Sequence, residues 1–433
     1  MDLLDLFPIT TGRTATGGLS ISGIGLSTLA QEYGTPLYLY DAATVRHEVG
    51  ELQRLTRTLY PGESEITYAS KAYLSLAFAR HLVKMGIGID VVSRGEMKIA
   101  RMAGFDATNL HLHGNNKSEE ELRLALEWGI QSIVVDSLEE LAFLESLAKK
   151  LKKTARIWLR VTPEVNVDTH PYRQTAHAAS KFGLPMSDGQ AAVGIRQAMK
   201  SKYLDLTGLH MHLGSQVFET EPFERAIGLL YRLAERESFV LREISPGGGW
   251  GVPYNTEDED RPVDGWVAAI SRAIQAEAGK RNWPRPKLIL EPGRRIVARA
   301  GVAIYTIGTT KYTASEDAII TVDGGMADNI RPALYKAKYT ACLVERPDAE
   351  PMNKTIIVGK FCESGDRPIT GIGMPDVKRG DMLAIPVAGA YQLSMASNYN
   401  LADRPAVLWL DDGKVEILQK REKPEEGGWW VNL

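Results

Sequence analysis

Short runs of apolar and β-branched residues recur through the first two thirds of the chain, and each ends in a polar or glycine-containing turn. Eight of them lie between residues 65 and 291: Ile66–Ser70, Gly88–Val92, Leu110–His113, Ser132–Asp136, Arg156–Val161, Thr207–His212, Glu243–Gly247 and Lys287–Glu291. They recur about every 32 residues, close to the roughly 30 residues that a strand, a helix and the next strand need. This rhythm predicts an α/β fold in which eight parallel strands and their helices close into a (β/α)8, TIM-like barrel.

Helix-start signals fall just past three of these runs. Each is a serine followed three residues later by a glutamate: Ser93 with Glu96, Ser118 with Glu121, and Ser137 with Glu140. In this capping box the serine side chain accepts from the backbone of the glutamate, whose side chain accepts from the serine backbone. The three matches support the alternation of strands and helices.

After residue 300 the pattern changes to short β-like stretches with few helical segments between them. They are Val302–Ile307, Ala318–Val322, Lys354–Val358, Asp381–Pro386 and Ala406–Trp409. The first forty residues show no long helical pattern, and we expect them to supply a strand to the same region. Because the chain is too long for one core, we predict a barrel over residues 41–300 and a β-rich C-terminal domain over residues 301–433, joined by a strand from residues 1–40.

Composition narrows the class of protein. The formal net charge of -3 provides no basic field for nucleic acid or an anionic membrane surface, so we expect small-molecule or protein partners. The two cysteines, Cys342 and Cys362, cannot form a disulfide framework, which favours a reducing compartment. The N-terminus lacks a basic segment followed by an apolar one, and no run of about 18 apolar residues occurs. We therefore expect neither secretion nor membrane spanning, and a cytoplasmic location.

The residues that end the predicted strands carry the candidate chemistry, because active sites of such barrels lie at the carboxyl ends of the strands. Lys71 closes the first strand, where its amine would point into the mouth of the barrel. A lone lysine is ordinarily a solvated surface group. Its position becomes informative only together with the last two strand ends.

Two loops after the seventh and eighth strands have the composition of a phosphate site. One contains Gly247, Gly248 and Gly249, and the other runs from Glu291 through Gly293 to Arg294. Glycines let backbone N–H groups approach phosphate oxygens, and an arginine adds a bidentate contact. Glycine clusters also occur in plain turns, and the glutamate and arginine could form an ion pair at the rim. Combined with Lys71, however, the set indicates pyridoxal phosphate, with the lysine for the Schiff base and the glutamate at the pyridine nitrogen.

Two histidines end the sixth predicted strand. His212 could stack on the cofactor ring, whereas His210 and His212 together could instead form a metal pair. No matching carboxylate cluster is apparent in the sequence, so we expect no metal.

An ordered set of motifs resembles the diaminopimelate decarboxylases, a family of pyridoxal-phosphate enzymes related to ornithine decarboxylase and alanine racemase. The resemblance covers nearly the whole chain. Beyond the lysine, glycine and glutamate segments it runs through Gly34–Tyr38, Asp90–Ser93, His113–Lys117, Ser180–Gly183, His212–Gln216, Asp323–Met326, Arg331–Tyr335, Cys362–Asp366 and Gly389–Tyr391.

This resemblance implies a role for each candidate residue. Lys71 would carry the cofactor and Cys362 would donate a proton after carbon dioxide departs. The cofactor would be bound by Lys71, Asp90, His212, Ser215, Gly248, Gly249, Glu291, Gly293, Arg294 and Tyr391. The substrate would be bound by Arg294, Arg331, Tyr335, Glu363 and Tyr391. In the family, the residues at the Cys362 and Glu363 positions come from the second subunit of a homodimer.

The implied reaction is the decarboxylation of meso-2,6-diaminopimelate to L-lysine, the last step of lysine biosynthesis. The far end of this substrate carries an amine and a carboxylate, which suit Glu363 and the arginines respectively. Relatives that act on ornithine have an aspartate after the equivalent cysteine, whereas Glu363 follows Cys362 here. A related decarboxylase acting on ornithine, arginine or carboxynorspermidine is the alternative, followed by a racemase and by a cofactor-binding protein without activity.

Three positions depart from the family pattern. Ser70 stands before the lysine where many members have valine, Tyr73 stands where many have asparagine, and Arg295 stands where a small polar residue is common. These changes concern fine tuning rather than the reaction.

Overall fold

The computed structural model describes residues 1–165, 180–312 and 318–423. The chain divides into two compact units, and each is described by itself. The barrel unit comprises Val49–Gly251 and Arg261–Gly293, and the sheet unit comprises Met1–Glu48, Val252–Asp260 and Arg294–Leu433. The domain limits that we predict from sequence, 41–300 and 301–433, stay a prediction.

Strands are numbered along the described part of the chain. They are β1 (Gly12–Arg13), β2 (Leu19–Ile21), β3 (Ile24–Gly25), β4 (Leu37–Asp41), β5 (Ser64–Ala69), β6 (Gly88–Val91), β7 (Leu110–Leu112), β8 (Ser132–Val135), β9 (Ala155–Thr162), β10 (Leu184–Pro185), β11 (Leu204–His210), β12 (Glu243–Gly247), β13 (Lys287–Leu290), β14 (Gly301–Tyr312), β15 (Ala318–Val322), β16 (Cys342–Leu343), β17 (Asn353–Val358), β18 (Ile369–Met374), β19 (Met382–Ile385), β20 (Ala406–Asp411) and β21 (Lys414–Gln419).

Helices are numbered in the same way. They are α1 (Leu26–Tyr33), α2 (Ala42–Leu59), α3 (Leu76–Lys84), α4 (Arg94–Ala103), α5 (Glu119–Trp128), α6 (Leu138–Leu151), α7 (Gln190–Lys200), α8 (Glu221–Arg236), α9 (Asp264–Lys280), α10 (Arg294–Val297) and α11 (Arg331–Tyr335). Within the described residues, no helix is both long and apolar enough to cross a membrane.

The barrel unit closes through eight parallel strands. The order is β5, β6, β7, β8, β9, β11, β12 and β13, and β13 pairs back to β5, as in Leu288 beside Ser64. Parallel barrel strands are buried on both faces, which explains why they appear as continuous apolar runs in the sequence. Val134, Trp158 and Ile289 form a buried cluster from three of these strands. The predicted (β/α)8 class is confirmed.

The three predicted helix starts are present, but only one has the full capping box. Ser93, Ser118 and Ser137 each accept from the backbone N–H three residues later. The return bond forms only at Ser118, from its own N–H to Glu121. The reciprocal half of the prediction was wrong at the other two sites because the Glu96 carboxylate accepts from the Val92 N–H and Glu140 binds a buried lysine.

The sheet unit is built around a large β-sheet in the order β18, β17, β15, β14, β4, β20 and β21. The early strand β4 lies between β14, which it pairs with antiparallel, and β20, which it pairs with in parallel. Its core is a cluster of apolar side chains that includes Leu37, Leu39, Val302, Ile304 and Leu408. A second, β-rich region is thereby confirmed.

Candidate active site

Lys71 lies directly after the first barrel strand. It is the middle residue of a 3₁₀ turn, Ser70–Ala72, and its side chain is exposed while its two neighbours are buried. The N–H of Ala69 donates to the carbonyl of Pro292 at 3.2 Å, so this strand end is tied to the loop after β13. The phenol of Tyr68 donates to the Tyr73 carbonyl at 2.8 Å and closes the turn from the other side. The lysine is therefore carried by a well-packed strand end.

Glu291 follows β13 and is the centre of a buried polar network. The Ser245 hydroxyl donates to its Oε1 at 2.7 Å, and His210 Nε2 lies 3.1 Å from its Oε2. His113 Nε2 lies 3.7 Å from Oε1. The ligand atoms of His113, His210 and Glu291 all lie within 4.8 Å of one another. No carboxylate to accompany the histidines was apparent in the sequence, because His113, His210 and Glu291 belong to the ends of three barrel strands that are not neighbours in the sheet, and only the closed barrel brings their side chains together.

The charge state of this network follows from burial and hydrogen bonding. Burial opposes the charge on Glu291, yet the neighbouring His210 and His113 and the donors from His210 and Ser245 hold its pKa well below the ordinary value. Burial lowers the pKa of His210, although the charge of Glu291 opposes this shift. A neutral imidazole protonated on Nε2 still donates to the carboxylate. Glu291 is therefore an ionised acceptor held by polar hydrogens.

Two further titratable groups interact with the same network. Asp90, at 5% exposure, lies in β6 one residue before its end, and burial together with the nearby charge of Glu291 raises its pKa well above the usual value, while the charge of Lys71 opposes the rise. Burial lowers the pKa of Arg160, against the attraction of Asp136, Glu291 and Asp90. Arg160 was missed from sequence, because it lies inside a strand rather than at its end.

His212 and the glycine loop lie next to each other. A Cβ on Gly249, whose φ is +90°, would collide with the Gly214 carbonyl and come within 3.1 Å of His212 Cε1. A Cβ on Gly248 would collide with the carbonyl of Glu291. These loops pack too closely for any side chain, which is sufficient reason for glycine in both places. Burial and the charge of Lys71 lower the pKa of His212 well below its ordinary value, which leaves a neutral ring.

The barrel unit fits pyridoxal phosphate. The barrel unit supplies an amine from Lys71, an ionised carboxylate from Glu291 and a neutral imidazole from His212. Among the described residues, no backbone hydrogen bond is made by the N–H groups of Gly248 and Gly249, so both are available to an anion. Ser215 follows Gly214 and is half-buried. Gly293 lets the loop after β13 pack against Ala69, whose Cβ would lie 2.9 Å from an added Cβ.

The sheet unit brings together two buried arginines and several tyrosines. Arg294 and Arg331 are 6% and 2% exposed. Both donate through Nη1 to the hydroxyl of Tyr254, in the case of Arg331 at 3.1 Å. Their guanidinium carbons lie 4.7 and 5.9 Å from the ring centre of Tyr391. The predicted residues Arg294, Arg331 and Tyr391 thus form one cluster, which we call the arginine cluster together with Tyr254 and Tyr339.

Tyr254 and Tyr339 were not found from the sequence. Arg331 Nη1 donates to the Tyr339 hydroxyl at 2.6 Å, and the rings of the two tyrosines meet edge to face at 5.2 Å. Burial opposes ionisation of Tyr254, but the adjacent charges of Arg294 and Arg331 lower its pKa. Tyr335, which was predicted, is half-buried on the same short helix as Arg331.

Cys362 and Glu363 lie on an exposed loop of the sheet unit. The loop is held by Asp366, whose carboxylate accepts from the N–H of Met326 at 2.7 Å and of Phe361 at 3.0 Å. The N–H of Cys362 donates to Asn400 Oδ1 at 3.2 Å. The backbone of this loop is ordered by hydrogen bonds while its thiol and carboxylate face outwards.

Two of the departures from the family pattern, Tyr73 and Arg295, have local explanations. Tyr73 is a buried ring that packs at 5.4 Å from Phe78. Arg295 pairs with Glu48 at 3.0 Å within the sheet unit, so its charge is used locally.

Comparison with known proteins agrees with this geometry. The family model for the pyridoxal binding domain of pyridoxal-dependent decarboxylases matches residues 46–298. The diaminopimelate decarboxylase of Bacillus subtilis is 41% identical, with 96% of each chain covered. The solved diaminopimelate decarboxylase of M. jannaschii has a TM-score of 0.90 at 31% identity, with 96% of each chain covered. That of Helicobacter pylori, complexed with L-lysine, has a TM-score of 0.84 at 32% identity and covers 92% of this chain and 97% of its own. Over nearly its full length, the chain belongs to the diaminopimelate decarboxylase family of pyridoxal-dependent decarboxylases.

Proposed function

We propose that this protein is a pyridoxal-phosphate-dependent carboxy-lyase that converts meso-2,6-diaminopimelate to L-lysine and carbon dioxide. The observation that carries the proposal is the full-length likeness to proteins named diaminopimelate decarboxylase. The chemistry of both units is consistent with the proposal, since the barrel-unit residues around Lys71 and Glu291 suit the cofactor and the arginine cluster suits a carboxylate.

Bound pyridoxal phosphate supplies an electron sink for the electron pair that the departing carboxylate leaves behind. The amine of Lys71 would hold the cofactor between turnovers. Glu291, kept ionised by Ser245 and His210, would face the pyridine nitrogen and keep it protonated. His212 would lie against the ring. Asp90, Ser215, Gly248, Gly249, Gly293, Arg294 and Tyr391 complete the proposed cofactor-binding set.

The distal end of the substrate gives the proposed specificity. Arg294 and Arg331 would bind its carboxylate, helped by Tyr335 and Tyr391, and Glu363 would accept from its ammonium group. A substrate without that carboxylate would leave a buried guanidinium without its anion, and such mismatches cost about 10⁴-fold or more when a site is built around hydrogen bonds.

Cys362 is the proposed donor of the proton that replaces the lost carboxylate. Its thiol is exposed on the single chain, which suits a group that works at a subunit boundary. We accordingly propose a homodimer in which Cys362 and Glu363 serve the partner's site, and a cytoplasmic location.

An assay of purified protein with added pyridoxal phosphate tests the function. Carbon dioxide and lysine are followed from meso-diaminopimelate, in parallel with ornithine, arginine and carboxynorspermidine. We expect turnover of diaminopimelate alone. Strong turnover of another substrate would overturn the roles of Glu363 and Arg331, and no turnover of any of the four would overturn the proposed function.

A further inference from the structure

One phenol oxygen lies between the two guanidinium groups of the arginine cluster. Tyr254 accepts from Nη1 of Arg294 and from Nη1 of Arg331. The tyrosine belongs to the segment Val252–Asp260, and its partners stand 40 and 77 residues away in the chain. Like charges repel, so holding two cations on one oxygen requires a strong acceptor between them.

The phenols occupy one particular part of Arg331. Its Nη1 carries two hydrogens, and it donates to Tyr254 at 3.1 Å and to Tyr339 at 2.6 Å. In the described part of the chain, the side-chain hydrogen bonds of Arg331 all come from Nη1. The edge formed by its Nε and Nη2 therefore remains available to a ligand, and the spacing of these two donors matches the two oxygens of a carboxylate.

The aromatic rings restrict the orientation of the guanidinium planes. The Tyr254 ring centre lies 5.6 Å from the guanidinium carbon of Arg294 and 5.3 Å from that of Arg331. Tyr254 and Tyr339 meet at 88°, so a rotation of either ring is resisted by the other. A phenylalanine at position 254 could maintain this packing, but it has no hydroxyl to accept from both arginines.

We propose that Tyr254 is a positioning residue that sets specificity for the distal carboxylate, because its hydroxyl fixes Arg294 and Arg331 and directs the Nε–Nη2 edge of Arg331 to that group. This inference rests on the proposed function and deepens it. Tyr339 assists by engaging the second Nη1 hydrogen.

The test is the variant Tyr254→Phe, with diaminopimelate compared with D-lysine, a competitive inhibitor that has the reacting end of diaminopimelate but lacks its distal carboxylate. Losing a hydrogen bond to a charged group typically weakens binding about 10- to 100-fold. We expect KM for diaminopimelate to rise by that factor with kcat within about twofold, while the inhibition constant of D-lysine is unchanged. The ratio of the D-lysine inhibition constant to the KM of diaminopimelate should therefore fall about 10- to 100-fold.

The control is Tyr60→Phe, which also removes a buried phenol that donates a hydrogen bond, in this case to the carbonyl of Pro286. It should leave the ratio unchanged. If Tyr254→Phe does not fold, Tyr339→Phe tests the same guanidinium and should lower the ratio as well. An equal loss of affinity for diaminopimelate and D-lysine, or an unchanged KM, overturns the inference about Tyr254. Failure of the wild-type protein to turn over diaminopimelate would instead overturn the proposed function.

Discussion

The two oxygens of the Glu291 carboxylate have different donors. The role of Glu291 can therefore be tested by removing one donor while Glu291 itself is kept. Ser245 donates to Oε1 from inside β12, at 0% exposure. We expect Ser245→Ala to weaken cofactor binding roughly tenfold, because a buried carboxylate that loses a donor is less stable in its charged form. The dissociation constant of pyridoxal phosphate, from an absorbance titration, measures the effect.

Ser271→Ala is the matched control for that variant. Ser271 is also buried in the barrel unit, at 1% exposure, but it lies on α9. Its substitution should leave the dissociation constant unchanged. A Ser245→Ala protein that binds the cofactor as tightly as the wild type would contradict the proposed role of Glu291.

Asp328 predicts a pH dependence of stability. Its side chain is 2% exposed and accepts from the Gly325 N–H at 3.1 Å. Burial raises the pKa of Asp328 to about 7 from its ordinary 3.8. Between these two values the folded protein holds a proton that the unfolded chain has lost, so the free energy of unfolding falls as pH rises through this window. The loss amounts to about 4 kcal/mol and is complete above about pH 7.

Asp328→Asn removes this titration while keeping an oxygen acceptor for Gly325. The difference in unfolding free energy between wild type and variant, from urea titrations at several pH values, should change by that amount from about pH 4 to pH 7 and then level off. A difference that stays constant over this range would show that Asp328 titrates normally.

At the scale of elements, a buried ion pair links the loop after β7 to α6. Lys117 Nζ donates to the carbonyls of Gly114 at 2.6 Å and Val134 at 2.7 Å and to Glu140 at 2.7 Å. The two side chains are 1% and 8% exposed. Lys117→Met should lower the free energy of unfolding by about 3–5 kcal/mol, because it leaves the charge of Glu140 buried and uncompensated.

The double variant Lys117→Met/Glu140→Leu should recover most of this loss, since an apolar pair needs no desolvation of charge. Arg123→Met provides a surface comparison, because Arg123 pairs with Glu119 at 34% and 51% exposure and should cost about 1 kcal/mol or less. Urea titrations of the four proteins measure these differences. If the double variant recovers none of the lost unfolding free energy, the loss comes from packing around the aliphatic part of Lys117 and not from the buried charge of Glu140.

Strands were predictable where burial left a clear trace in the sequence. The strand Ser132–Val135 was predicted to within one residue, as Ser132–Asp136, because it is fully buried and mostly apolar, as parallel barrel strands usually are. Neither β18 nor β21 was predicted. β18 carries Gly371 and Gly373, and β21 has only Leu418 buried, so neither shows an apolar run. Edge strands with this composition are recognised only through their partners.

The candidate site divides in the same way. Lys71 and Glu291 could be found because each directly ends an apolar run, which places them at the barrel's catalytic end. Tyr254 and Tyr339 could not, because the arginine partners of Tyr254 are 40 and 77 residues away and neither tyrosine lies on a strand. A tyrosine whose role is to orient an arginine leaves no recognisable pattern in the neighbouring sequence.

At the scale of the whole molecule, the proposed shared sites predict complementation between two inactive proteins. Lys71→Ala should abolish turnover, and Cys362→Ala should slow it strongly while sparing cofactor binding. If each site takes its lysine from one subunit and its cysteine from the other, a mixed dimer contains one intact site. After mixed refolding of equal amounts, activity should return to about a quarter of the wild-type value. No return of activity would place both residues in the same subunit's site.

The position of β4 in its sheet has a consequence for synthesis on the ribosome. All eight barrel strands lie before residue 291, so the barrel unit can form while the rest of the chain is still being translated. β4 pairs with β20, where Leu37 meets Ala406, so one edge of β4 lacks its neighbour until residues 406–411 have been translated. An unpaired strand edge is a site of aggregation. A stop codon shortly before residue 406 would therefore produce a protein with a complete barrel and an unpaired β4 edge. We expect this truncated protein to aggregate or to be bound by chaperones, and not to act as a smaller enzyme.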